Sequence, residues 1–282
     1  MANSLPSFGI LSTELFPILR TKAAQLSRYT TNFGADVANA GTAVVVGYQS
    51  SVSASLWDSS NKYTSADETI SSTTVTLKEP YYVEFYLSPN ELKAYGDAYL
   101  QKRMAAAAAG VCDEVRKQAL SLLTGTSVAS VGTVSGSAHN FNTVLSGSNI
   151  LINSGSQGEI SFLAPSTQYS ALLVDAKNAG YNISNTVVSG VEQWTYGPAT
   201  VVREANLSTP VVATQDAVAI ATRLPEQFGS YQRTIFADEL TGLSIAVDLF
   251  ESPDTGKVIG RAHVCAGVAL GRPGTCAKWT TP

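Results

Sequence analysis

His263 and Cys265 stand two residues apart in an apolar stretch, and Cys276 follows a glycine- and proline-containing break. Side chains at i and i+2 of a strand project to one face, so this pair and a returning Cys276 form the one cluster with ligand chemistry. Zinc would need a fourth donor, for which Cys112 and His139 are the candidates. The spacing follows no established zinc pattern, and the plainer reading is two small buried thiols and a histidine beside a strand. With only two histidines in the chain, most acid–base constellations lack a member.

Other motifs fail in their context. Gly125-Thr126-Ser127-Val128-Ala129 lacks the last glycine of a nucleophile elbow and follows a helical pattern instead of a strand. Gly256-Lys257 runs on to Val258 without the upstream glycine of a phosphate loop. Asp254-Thr255-Gly256 spells an aspartic-protease triplet, but Glu251-Ser252-Pro253 stands where that site needs an apolar strand, so it reads as a hairpin turn. Asn182-Ile183-Ser184 and Asn206-Leu207-Ser208 are glycosylation sequons in spelling, with no export signal to support them. No catalytic, cofactor-binding or metal-ligating residue is assigned, and no cofactor is expected. A hydrolase with an unrecognised site would have to draw on His139, His263 and Cys265.

The elements that would position such residues are set by composition first. Of 282 residues 44% are hydrophobic and 14% charged, against about 25% charged in ordinary soluble domains. That balance excludes disorder and describes a surface meant to be covered by partners. The net charge of −4 excludes a nucleic-acid clamp, although residues 257–282 carry Lys257, Arg261, Arg272 and Lys278 and no acid. No signal peptide or membrane span is visible, and three cysteines fit reduced thiols, so a cytoplasmic chain unprocessed by export is expected.

Residues 1–40 read as an irregular arm with one short helix carrying Leu15, Leu19, Ala23 and Leu26. A β-branched run at 42–48 and an alternating run at 73–87, with Val75, Leu77, Val83 and Phe85 on one side, predict strands. Between them residues 49–72 are polar and hold almost no core material, which predicts an extended excursion. Ser88-Pro89-Asn90-Glu91 is a capping box with proline at the first helical position. Behind it Leu92, Tyr95, Tyr99, Ala107, Val111, Val115, Ala119 and Leu122 keep a helical period to Thr124-Gly125, a rod of roughly 50 Å at 1.5 Å per residue. Residues 124–158 are Gly- and Ser-rich, and loop or meander stays open. A strand at 160–164, a helix from Pro165-Ser166 closed by Gly180, and strands around Gly197-Pro198 follow. Residues 243–250 and 258–269 predict a hairpin about a Pro-Asp turn.

The order of arm, strand TAVVVGY, polar hairpin, strand TVTLKEPYYVEFYLSPNEL and a helix ending AAAAAGVCDEVRKQALSLL resembles the major capsid proteins of tailed bacteriophages with the HK97-type fold. The ending TGLSIAVDLFESPDTGKVIGRAHVCAGVALGRPGTCAKW is similar to those of P22-like coat proteins. The resemblance implies an α+β fold with an N-terminal arm (1–40), an extended loop with flanking strands (41–87), a spine helix of the peripheral domain (88–124), an axial domain (125–233) and a hairpin returning to the peripheral domain (234–282).

It also implies a non-enzymatic coat protein that assembles with itself into hexamers and pentamers, in an icosahedral virion shell around double-stranded DNA, built in the host cytoplasm. Separate scaffolding, portal and decoration proteins are the further partners it implies, with weak non-specific DNA contact through Arg20, Lys22 and Arg28 and no membrane contact. An encapsulin-type compartment shell is the alternative, and a tail-tube or surface protein a more distant one. Two departures matter: no charged helical scaffold region is present, and Lys62 in the loop has no asparagine after Asn206 to join. Shells held by contacts alone are therefore expected.

Overall fold

The computed structural model describes residues 23–33, 42–49, 70–134, 139–156, 158–180, 186–188, 191–227, 231–238, 241–252 and 256–280. Fifteen strands and three long α-helices are assigned among them, besides a helical turn at 23–26. The first strands are β1 (Thr30–Asn32), β2 (Ala43–Gln49), β3 (Ile70–Thr76) and β4 (Tyr81–Leu87). The long helix α1 (Pro89–Leu123) follows, then β5 (Ala129–Thr133), α2 (Phe141–Asn153), β6 (Ile160–Ala164) and α3 (Ser166–Asn178). The rest is β: β7 (Thr186–Val188), β8 (Val191–Tyr196), β9 (Ala199–Arg203), β10 (Val211–Ala213), β11 (Val218–Arg223), β12 (Gln232–Ala237), β13 (Ser244–Glu251), β14 (Val258–Leu270) and β15 (Cys276–Thr280).

Helix α1 begins where the capping box requires. The Ser88 hydroxyl accepts from the Glu91 amide at 3.2 Å, and the Glu91 carboxylate accepts from the Ser88 amide at 2.8 Å. That reciprocal arrangement satisfies two amides that the helix itself cannot. At Gly96 the backbone leaves helical geometry (φ 66°, ψ −169°), a conformation open essentially to glycine alone. Tyr95, before the kink and expected on the buried stripe, is exposed, whereas Ala107, Val111, Val115 and Ala119 are buried as expected, with Leu100, Met104, Ala108 and Leu123 beside them.

This stripe lies on a mixed six-stranded sheet in which β14 is the shared member. Its first half pairs antiparallel with β4 on one side and β13 on the other, and its second half with β11. Strand period decides what faces α1: Ala262, Val264 and Ala266 join the helix core with Ile245, Val247 and Leu249, while Arg261, His263 and Cys265 turn away. The β2–β3 hairpin packs Val44, Val46 and Val75 against Ala219 and Ala221 on that other face.

A seven-stranded sheet, in the order β5-β15-β10-β6-β9-β8-β7, is covered on both sides. Leu163, Val202, Val211 and Ala213 face the α1 core, and their strand neighbours Phe162, Val201 and Val212 face α2 and α3. Strands so placed have no wet face, which explains the unbroken apolar runs. Arg116 of α1 and Glu204, both buried, approach to 3.8 Å beneath this sheet, with Asp113 at 3.3 Å from Arg116. Burial, and then the Glu204 charge, push the fully buried Tyr29 hydroxyl well above the ordinary tyrosine range.

Two expectations change. The alternating run at 73–87 is two strands in different sheets, because Pro80 interrupts the ladder after Thr76. The open segment 124–158 contains α2, capped by Asn140 and Thr143 in a second capping box. Sheet membership is interleaved along the chain: β11 lies in the six-stranded sheet, and β15 in the seven-stranded one between β5 and β10. The excursion at 50–69, Lys62, Arg20, Lys22 and the tip of the β13–β14 turn lie outside the described residues.

Candidate functional site

The structure brings His263 and Cys265 to one face of β14, as the i, i+2 spacing predicts. Cys276 is on the other sheet against the α1 core, Cys112 is buried in α1, and His139 stands beside Trp279. Among the described residues no three His, Cys, Asp or Glu side chains gather as a metal would require. Burial pushes the Cys265 thiol up and the Cys276 thiol up to about 11, so neither is a ready thiolate.

His263 has a different partner, one that spacing did not reveal. Its Nε2 lies 2.7 Å from Asp248 Oδ2, and Arg233 grips the same carboxylate with Nε at 2.7 Å and Nη2 at 3.0 Å. Burial pulls the Asp248 carboxyl up. Hydrogen bonds and charge from His263 and Arg233 outweigh it and hold the group below the ordinary carboxylate range. Register explains the arrangement. Arg233 pairs with Asp248, Asp248 with Arg261 and Arg261 with Glu84, one residue from each of β12, β13, β14 and β4. The row alternates in sign across four strands, and Arg261 closes it with Nε 2.8 Å from Glu84.

Above this row lies a groove of about 620 Å³, lined among others by Pro80, Pro225, Tyr231, Phe250, Arg261 and His263. Arg261 sits over the Phe250 ring at 5.3 Å and Arg233 over Tyr231 at 5.8 Å, so aromatic faces and guanidinium groups brace one another. Glu79, Arg223 and Glu226 add further charge to its lining, beside the Cys265 thiol that burial pushes up.

The remaining conspicuous features are apolar and exposed. On the outer side of the β2–β3 hairpin, Val45 is 67% and Ile70 65% exposed. On the edge strand β4, Tyr82 is 64% and Tyr86 55% exposed. A two-stranded ribbon is marginal in water by itself, and apolar side chains on both of its faces call for cover on both. Arg28 is committed elsewhere: it donates to Gln193 and lies 3.6 Å from Glu159. Among the described residues no helix is long and apolar enough to cross a membrane.

No protein-family model and no curated protein matches this sequence. Solved structures do match. A chain of Mycobacterium phage Che8 aligns over 92% of this chain and 90% of its own, with a TM-score of 0.61 at 14% identity. The capsid of the cyanophage P-SCSP1u aligns over 90% and 86%, at 0.61 and 9%. The SrpI encapsulin of Synechococcus elongatus aligns over 99% and 91%, at 0.53 and 12%. Kinked long helix, helix-bearing sheet, hairpin arm and two-sided second sheet are together the HK97-type capsid fold, and that is the fold of this chain.

Proposed function

We propose that the chain is the major capsid protein of a tailed bacteriophage, self-assembling into an icosahedral shell that encloses double-stranded DNA. The observation that carries this reading is the whole-length match to a phage capsid, in which hardly any of either chain is left over for another task. Few charges and the exposed apolar hairpin and β4 edge support it, because such surfaces gain most when repeated contacts cover them. On this reading α1 and the six-stranded sheet form the peripheral domain, and the seven-stranded sheet with α2 and α3 the axial domain. The protein works without catalysis, as hexamers and pentamers of itself in the virion, assembled in the host cytoplasm. Scaffolding, portal and decoration proteins would be separate chains, and the shell is held by contacts alone. With Arg28 engaged by Gln193 and Glu159, any DNA contact of the arm falls to Arg20 and Lys22.

An encapsulin-type compartment is the second reading, favoured by the match to the SrpI encapsulin. Expression of the chain with its genomic neighbours, followed by light scattering behind size exclusion and electron microscopy, tests both. Closed icosahedral particles support a shell, with DNA inside pointing to the phage and a cargo enzyme to the compartment. A monodisperse 29.6 kDa monomer under every condition would defeat both.

A further inference from the structure

His139 immediately precedes Asn140, the cap of α2, and is 2% exposed. Both of its ring nitrogens are buried without a hydrogen-bond partner among the described residues. A neutral imidazole carries one donor and one acceptor, and interiors rarely leave both unmet. The ring stands edge-on to Trp279 of β15, with centroids 6.3 Å apart and planes at 84°. Beside it opens a cavity of about 520 Å³, lined by His139, Asn140, Ser170, Val174, Asp175 and Asn178 among others. Asp175 Oδ2 accepts from the Phe141 amide at 3.0 Å, which anchors a carboxylate in the lining of the same cavity.

Little other charge surrounds the ring. Neither α2 nor β5 contains an ionisable residue. Strand β15 turns Trp279 into this core and sends Lys278 the other way, to the end of α1. On α3, Asp175 is the charged residue lining the cavity.

We infer that His139 is an acid-operated latch: protonation drives the imidazole from its place beside Trp279 into the Asp175-lined cavity and frees the first turn of α2 from β15. Burial holds the closed imidazole below its ordinary value of 6.5, and the opened ring, solvated and in a cavity that Asp175 lines, is released from that hold. The open form therefore takes up a proton that the closed form refuses. Stability from the closed latch is complete above about pH 6.5 and declines as pH falls, with the open population rising up to tenfold per pH unit. The latch belongs to the single subunit and does not require a shell.

Amide exchange of residues 140–144 in the full chain tests it, at pH 7.5 and 5.5 and corrected for the intrinsic rate. We expect roughly tenfold more opening at pH 5.5, and no such gain in His139→Phe or, as a variant that keeps polarity, His139→Gln. An imidazole NMR titration identifies the His139 signal by its loss in His139→Gln. A midpoint at or above 6.5, unchanged exchange in the native chain, or the same acid opening in both variants would overturn the inference.

Discussion

The Lys278 ammonium donates to the Thr124 carbonyl oxygen at 2.8 Å and to its neighbour on Gly125 at 2.7 Å. Thr124 is the C-cap of α1, a helix with no basic residue in its last turn, so a strand of the other sheet supplies the positive charge that the helix end attracts. Replacing Lys278 by Met should lower stability by about 1–2 kcal/mol, and Lys278→Arg should recover part of it. Denaturant midpoints of the three proteins check this. Equal midpoints would show that solvent serves the helix end as well.

Gly147 is where α2 passes over Trp279. A Cβ added there would meet the indole at 2.3 Å and Val212 at 3.2 Å. Since neither the ring nor the strand beneath it yields readily, Gly147→Ala should cost about 1–3 kcal/mol through overpacking. Thermal melting measures the loss, and a shift in indole emission would report the displaced Trp279.

Gly96 offers the opposite test, for a Cβ there meets nothing within 4 Å. Any penalty of Gly96→Ala comes from the backbone alone, about 1–3 kcal/mol at φ 66°, unless α1 straightens and recovers it as helix. Distance measurement between spin labels placed on either side of the kink separates the outcomes: an unchanged distance with lost stability, or a longer one with stability kept.

Asp248 is 1% exposed between Arg233 and His263. Asp248→Asn leaves the half-buried Arg233 with a weaker acceptor, and Asp248→Ala leaves it the Pro225 carbonyl in place of a carboxylate, for an expected loss of about 1.5–3 kcal/mol in the alanine variant. The pH dependence follows from the depressed carboxyl. Its stabilisation is present above the ordinary value of 3.8 and is lost as pH falls through the lower folded value. Acid unfolding followed by circular dichroism should be steeper below about pH 4 in the native chain than in Asp248→Asn.

Local signals in the sequence were sound where one element carries them. The Ser88–Glu91 capping box placed α1 correctly, and the turn after Glu251 separated β13 from β14 as expected. Helix α2 was illegible because Gly147, two serines and β-branched residues at Val144, Ile150 and Ile152 lower helix propensity along its length. Its Asn140–Thr143 box was the available signal, with threonine standing where glutamate usually marks one. The charged row was out of reach for another reason. Arg233, Asp248, Arg261 and Glu84 meet only through register, and register is set by which faces of four strands are buried. His263 was singled out for its neighbour in sequence, whereas its partner Asp248 comes from the next strand.

Strand β14 exchanges β4 and β13 for β11 along its length, and β15 lies between β5 and β10. Both sheets are thus closed by residues 258–280, the part of the described chain that leaves the ribosome last. Until those residues emerge, β4, β11 and β13 lack their common neighbour and β5 and β10 lack theirs, so a nascent subunit carries open edges and no finished body. A half-made subunit consequently has neither sheet complete, and the order of synthesis leaves the finishing of both to its last strands.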